Sequence, residues 1–206
     1  MQTRDHKMLA IYLITQLGIN DIPDIYEDMF IIGNTEPDIN LFTYLHGLGR
    51  KKKIRGHNYE NIRPIMNKMF QRLSEKEDFG LWDYYYLGKL MHYVADAFTF
   101  PHNQVFEGTL KKHREYEKEL HITITNILQK HEWRKENTKR RSRFRDIELL
   151  HERYLKTAGS IENDCCYILQ AAELMANAFL LQEKAVTTIE PVSLNLQWIE
   201  KRESRV

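Results

Sequence analysis

Apolar residues recur at intervals of three and four along most of this chain, and only 5 Pro and 9 Gly interrupt them in 206 residues. That period lines one face of an α-helix with apolar side chains, whereas the alternation of a strand is scarce, so an all-α fold is expected. Helices are predicted at residues 5–17, 23–32, 58–75, 80–98, 109–133, 145–157 and 161–185. The last puts Ile161, Cys165, Ile168, Leu169, Ala172, Met175, Ala176 and Phe179 on one stripe, the pattern of a core helix. A hydrophobic share of 42% in a chain of this length fills one core of ordinary size, so a single multi-helix domain over residues 1–206 is expected.

Two stretches break the period. Residues 33–56 contain Gly33, Pro37, Gly47, Gly49 and Gly56 and the run Arg50-Lys51-Lys52-Lys53, and read as a loop between helices. Residues 130–145 carry eight Lys or Arg, and read first as a solvated helix end or an exposed connection, second as a phosphate-binding patch. The chain as a whole has a formal net charge of +1, so any pull toward nucleic acid or acidic lipid must be local. Cys165 and Cys166 are adjacent and cannot close loops as a disulfide framework; they read as two small buried hydrophobes. The apolar residues 8–13 are too few for a membrane span and lack a cleavage site, so a protein without signal peptide or transmembrane segment, in the cytoplasm, is expected.

Chemistry concentrates between residues 86 and 117. Positions four apart stand above one another on a helix, so His92 and Asp96 project from one face, and His113 and Glu117 repeat the arrangement on the next helix. Pro101 should end the first of these helices and leave His102 between the two pairs. Imidazole and carboxylate are suitable zinc ligands. The helix of His92 is otherwise apolar, with Leu87, Leu90, Met91, Val94, Ala95 and Phe98, and burying Asp96 there without a cation would be costly. His121, one turn beyond Glu117, reads as an outer-shell group or a solvated residue, and His131 and His151 are given no role. The aromatic run Trp82, Tyr84, Tyr85, Tyr86 reads as core before pocket lining.

The spacing His92-x3-Asp96-x5-His102 and then His113-x3-Glu117, framed by Tyr86-Leu-Gly and Pro101-His102, resembles the zinc-dependent phospholipase C family, which is related to the fungal single-strand-specific zinc nucleases. The resemblance implies an all-helical fold around up to three zinc ions. On it, His92 and Asp96 hold the first zinc, and His102, His113 and Glu117 the second, with Asp96 also facing the third. Asp38, in Gly33-Asn-Thr-Glu-Pro-Asp38, matches the family's Pro-Asp segment, whose aspartate lies at the first zinc as ligand or general base. The remaining imidazole for that ion is expected from His57, with His46 as the alternative. The third site is where the chain departs from secreted members, in which an N-terminal Trp supplies its amino group and carbonyl. This chain begins with Met1, although His6 falls where the family's histidine lies.

Two zinc ions about 3.5–4 Å apart activate water and clamp the oxygens of a phosphodiester, so the expected activity is phosphodiester hydrolysis of the phospholipase C kind, on a phospholipid or a small soluble ester. Two alternatives stand beside it. One is a zinc nuclease or nucleotide phosphodiesterase that uses the basic residues 130–145 on nucleic acid; the other is a non-enzymatic helical protein that keeps its metal for stability.

Overall fold

The computed structural model describes residues 1–17, 23–40, 58–130 and 141–179. Within them the chain forms seven α-helices: α1 (Thr3–Leu17), α2 (Asp24–Ile39), α3 (Tyr59–Ser74), α4 (Leu81–Ala97), α5 (Leu110–Lys130), α6 (Phe144–Tyr154) and α7 (Ile161–Phe179). A short 3-10 turn, Phe100–His102, joins α4 to α5, and no strand occurs among the described residues. The fold is all-α. Several helix starts follow from side-chain caps: the Asn58 carboxamide accepts from the Glu60 amide at 3.1 Å, and Asp5, Asp83 and Asp146 reach back to the amides of Gln2, Gly80 and Arg143.

The second helix corrects the sequence reading. Residues 33–39, expected in a loop because of Gly33 and Pro37, belong to α2, which runs to Ile39 with Pro37 inside it. Gly33 is a packing residue rather than a breaker. A Cβ built there would lie 2.0 Å from the Tyr85 carbonyl oxygen of α4, and one on Gly88 would lie 2.0 Å from the Phe30 carbonyl oxygen of α2. A glycine on each helix, set against the other's backbone, thus lets α2 and α4 touch, which no other residue type allows. Pro37 stands three residues before the Asn40 cap, whose amide bonds to the Glu36 carbonyl, so only the last turn has to accommodate a missing N–H.

Helix α4 runs through the middle of the molecule. Leu87, Gly88 and every residue from Leu90 to Ala97 are buried, so a helix with polar ligands on one side is enclosed all round. The apolar core is one contiguous cluster fed by all seven helices, with Leu9, Leu13, Met66, Leu73, Leu120, Ile124 and Met175 fully enclosed. Each such side chain contributes about 1.5–3 kcal/mol relative to exposure. The cysteines divide: Cys165 is buried, and burial pushes its thiol up to about 12, but Cys166 is exposed, because it falls off the stripe of α7. Of the aromatic run, Tyr84 and Tyr86 pack on the core, whereas Trp82 is 64% exposed. Among the described residues, no helix is long and apolar enough to cross a membrane.

Candidate metal centre

Four helices and one turn bring the chemical residues together. His6 enters from the first turns of α1, Asp38 from the last turn of α2, and His92 and Asp96 from α4; one donor atom from each lies within 4.8 Å of the others. His92 donates through Nδ1 to the Asn34 carbonyl oxygen at 2.8 Å, which fixes its tautomer and points Nε2 toward Asp96 Oδ2, 3.3 Å away, and Asp38 Oδ1, 3.6 Å away. The His6 ring stacks on that of His92 with centroids 3.7 Å apart, and His6 Nε2 lies 3.1 Å from Asp96 Oδ1. Burial, and after it the neighbouring His92, lowers the His6 imidazole to about 3, so it stays neutral and keeps a lone pair to offer.

A second group adjoins the first. His102, on the 3-10 turn, and His113 and Glu117, on α5, again place one donor atom each within 4.8 Å of the others. Glu117 Oε1 lies 3.1 Å from His113 Nε2 and 3.7 Å from His102 Nε2. Burial alone would raise the Glu117 carboxyl, but hydrogen bonds from His102 and His113 hold it far below the usual range.

Asp96 stands between the groups. Its Oδ1 accepts from the Met1 α-amino group at 2.8 Å, while Oδ2 lies 3.5 Å from His102 Nδ1 as well as 3.3 Å from His92. The Met1 ammonium is also 3.3 Å from Glu117 Oε1 and 3.5 Å from His102 Nε2, so one positive charge sits where both groups meet. Burial opposes that charge, yet Asp96 and Glu117 outweigh it and raise the amine to about 11. The Asp96 carboxyl, which burial alone would raise, is held well below the usual range by His102 and the Met1 ammonium.

The donor set fits a divalent metal. Oδ2 of Asp38, Oδ2 of Asp96 and Nδ1 of His6 are buried without a hydrogen-bond partner among the described residues, a costly arrangement for carboxylates unless a cation satisfies them. Burial pushes the Asp38 carboxyl up, as expected for an acid enclosed without its counter-charge. A mixture of neutral imidazole and carboxylate suits zinc in particular. Of the residues picked out from sequence, His6, Asp38, His92, Asp96, His102, His113 and Glu117 all converge. His57 and His46 lie outside the described residues. So do Lys139 and Arg140 of the basic stretch, whereas Arg141 donates to the Ala178 carbonyl oxygen at 2.6 Å and lies over the Phe179 ring.

Three supporting residues were not anticipated or were left open. His151 is buried and lowered to about 4 by burial, and its Nε2 donates at 2.8 Å to Asn103 Oδ1; Asn103 in turn donates to the carbonyl oxygens of Ala97 and Thr99, tying down the turn that carries His102. His121 reaches across to α1, where its Nδ1 lies 2.5 Å from Asp5 Oδ1, next to His6. Asp164, fully buried in the first turn of α7, accepts from the Phe100 amide at 2.7 Å and from the hydroxyls of Tyr116 and Tyr154, each at 2.8 Å. A signal for Asp164 exists in the sequence: it is a charge on the face of α7 that Ile161, Cys165 and Ile168 make apolar.

A family model described as zinc dependent phospholipase C matches residues 5–161, a span that includes all seven convergent residues. No curated protein and no solved structure matches the chain.

Proposed function

The chain belongs to the zinc-dependent phospholipase C family, and from that premise we propose that it hydrolyses phosphodiesters in the phospholipase C manner, with metals held by its two ligand groups. His6, Asp38, His92 and Asp96, completed by His57 or His46, would hold one zinc, and His102, His113 and Glu117 a second. The observation that carries the reading is Asp96, a buried carboxylate in contact with imidazoles of both groups. Zinc bound there would supply Lewis acidity, lowering the pKa of water and neutralising the phosphoryl oxygens.

The chain's own residues do the rest. Asp38 Oδ2, buried and without a partner among the described residues, is placed to accept the proton of the attacking water. Water's oxygen bonds to phosphorus, the ester P–O bond breaks, and the departing alkoxide takes up the proton that Asp38 accepted and leaves as an alcohol. The Nδ1–H of His92, donated to the Asn34 carbonyl, orients the ring with Nε2 aimed at the site. A third ion, to which the family resemblance assigns His6 and the N-terminal residue, would have to share His6 with the first group and displace a proton from the Met1 ammonium. A lipid-type ester is the substrate class that membership favours. The nucleic-acid alternative draws no support from Arg141, whose Nε is spent on the Ala178 carbonyl oxygen.

The test compares wild type with Asp38→Asn for metal content and for hydrolysis of bis(p-nitrophenyl) phosphate, a phosphatidylcholine and single-stranded DNA. Phosphatidylcholine hydrolysis by the wild type that Asp38→Asn loses is the expected outcome. Metal retained without turnover of any substrate would favour a metal-stabilised binding protein, and less than about one equivalent of metal would overturn the reading altogether.

A further inference from the structure

We propose that Asp164 is a positioning residue that sets the geometry of the second ligand group alone. The inference rests on the two-metal reading above and adds a residue beyond the span that the family model matches. A single oxygen, Oδ2, accepts from the Phe100 amide and from the Tyr116 hydroxyl. Phe100 lies two residues before His102, and Tyr116 is the neighbour of Glu117 and three residues after His113. These are the two segments that supply the whole second group. The other oxygen, Oδ1, accepts from Tyr154 of α6, which carries no candidate ligand. No donor to Asp164 comes from α1, α2 or α4, the described helices of the first group.

The chemistry of the joint favours precision over strength. A buried carboxylate is costly to enclose, and three charge-assisted hydrogen bonds offset that cost only when all three are well placed. Both tyrosine hydroxyls donate to Asp164 at 2.8 Å. The rings of Phe100 and Tyr116 also approach, with centroids 5.9 Å apart, so the turn and α5 meet through an apolar contact next to the polar one. A shift of Asp164 would move His102 relative to His113 and Glu117 while leaving His92 and Asp38 in place.

Because the two tyrosines donate to the same carboxylate, they separate positioning from mere support. Metal-free wild type, Asp164→Asn, Tyr116→Phe and Tyr154→Phe would be titrated with Zn2+ against a competing chelator, with melting temperature followed in parallel. The step of the isotherm that His113→Ala removes identifies the second group. Tyr116→Phe is expected to weaken that step by about tenfold or more and leave the first unchanged, the effect usual for a lost outer-shell partner. Tyr154→Phe is expected to lower the melting temperature comparably and leave both steps unchanged. Should Asp164→Asn fail to fold, the tyrosine variants still decide the matter. Wild type that binds two equivalents, with Tyr116→Phe unaffected or with both tyrosine variants weakening both steps alike, would overturn this inference alone. Wild type that shows no second step would overturn the two-metal reading and this inference with it.

Discussion

The imidazole of His6 lies flat on that of His92, with centroids 3.7 Å apart and planes 21° from parallel, although one belongs to α1 and the other to the central helix α4. Two neutral rings pack well in this way, and two cations would not. His6 is the residue by which α1 joins the first ligand group. His6→Ala should therefore reduce affinity for the first metal by about tenfold or more and spare the second. Equilibrium dialysis that finds both metals unaffected would show His6 to be a packing residue only.

Asp96 should behave differently, since it touches both groups. Asp96→Asn is expected to bring metal content below about one equivalent and to cut hydrolysis by at least about 100-fold, whereas His113→Ala should keep one metal. Elemental analysis of the two purified variants distinguishes these outcomes; equal metal loss in both would remove Asp96 from its bridging role.

Chelation should destabilise the wild type. Without metal the partnerless oxygens of Asp38 and Asp96 stay enclosed, and a ligand present at 100 times its dissociation constant adds about 2.7 kcal/mol to the folded state. Melting curves with and without excess EDTA should separate by several degrees, and curves that superimpose would contradict a metal bound within the fold.

The glycine crossing gives a steric prediction. Gly88→Ala would force a Cβ to within 2.0 Å of a backbone oxygen of α2, whereas Gly80→Ala meets nothing nearer than 3.7 Å. The first should cost roughly 1–3 kcal/mol and the second far less, read as the difference in chemical denaturation midpoints. Equal effects would mean that the two helices are not in backbone contact.

His151 makes stability depend on pH. Its folded value, about 4, lies below the 6.5 of an unperturbed imidazole, so the unfolded chain takes up the proton first as pH falls. The neutral ring's contribution is thus complete above pH 6.5 and lost on the way down to about 4, a swing on the order of 3 kcal/mol. His151→Phe cannot titrate, so the stability gap between wild type and variant should narrow over that interval. A gap constant with pH would exclude the linkage.

Much of the fold was legible because helical period is written locally: α1, α3, α4 and α6 end within three residues of where apolar spacing puts them. The pairs His92/Asp96 and His113/Glu117 were legible for the same reason, one turn being a local distance. What escaped was long-range. Gly33 looks like a breaker until the Tyr85 backbone of α4 is known to lie against it, and His151 looks idle until Asn103, 48 residues earlier, is brought to its Nε2. Asp164 shows in the sequence only as a charge on the apolar face of α7; its three partners lie on three separate segments, and no spacing along the chain announces them.

The close approach of α2 and α4 at Gly33 and Gly88 matters to anyone who would redesign this site. It acts as a ruler with no slack: Asp38 is five residues along α2 from one glycine, and His92 four along α4 from the other. A side chain of any size at the crossing would part the helices and widen the gap between Asp38 and His92. The size of the ion that the first group accepts could then be tuned from outside it, by a substitution that alters no ligand.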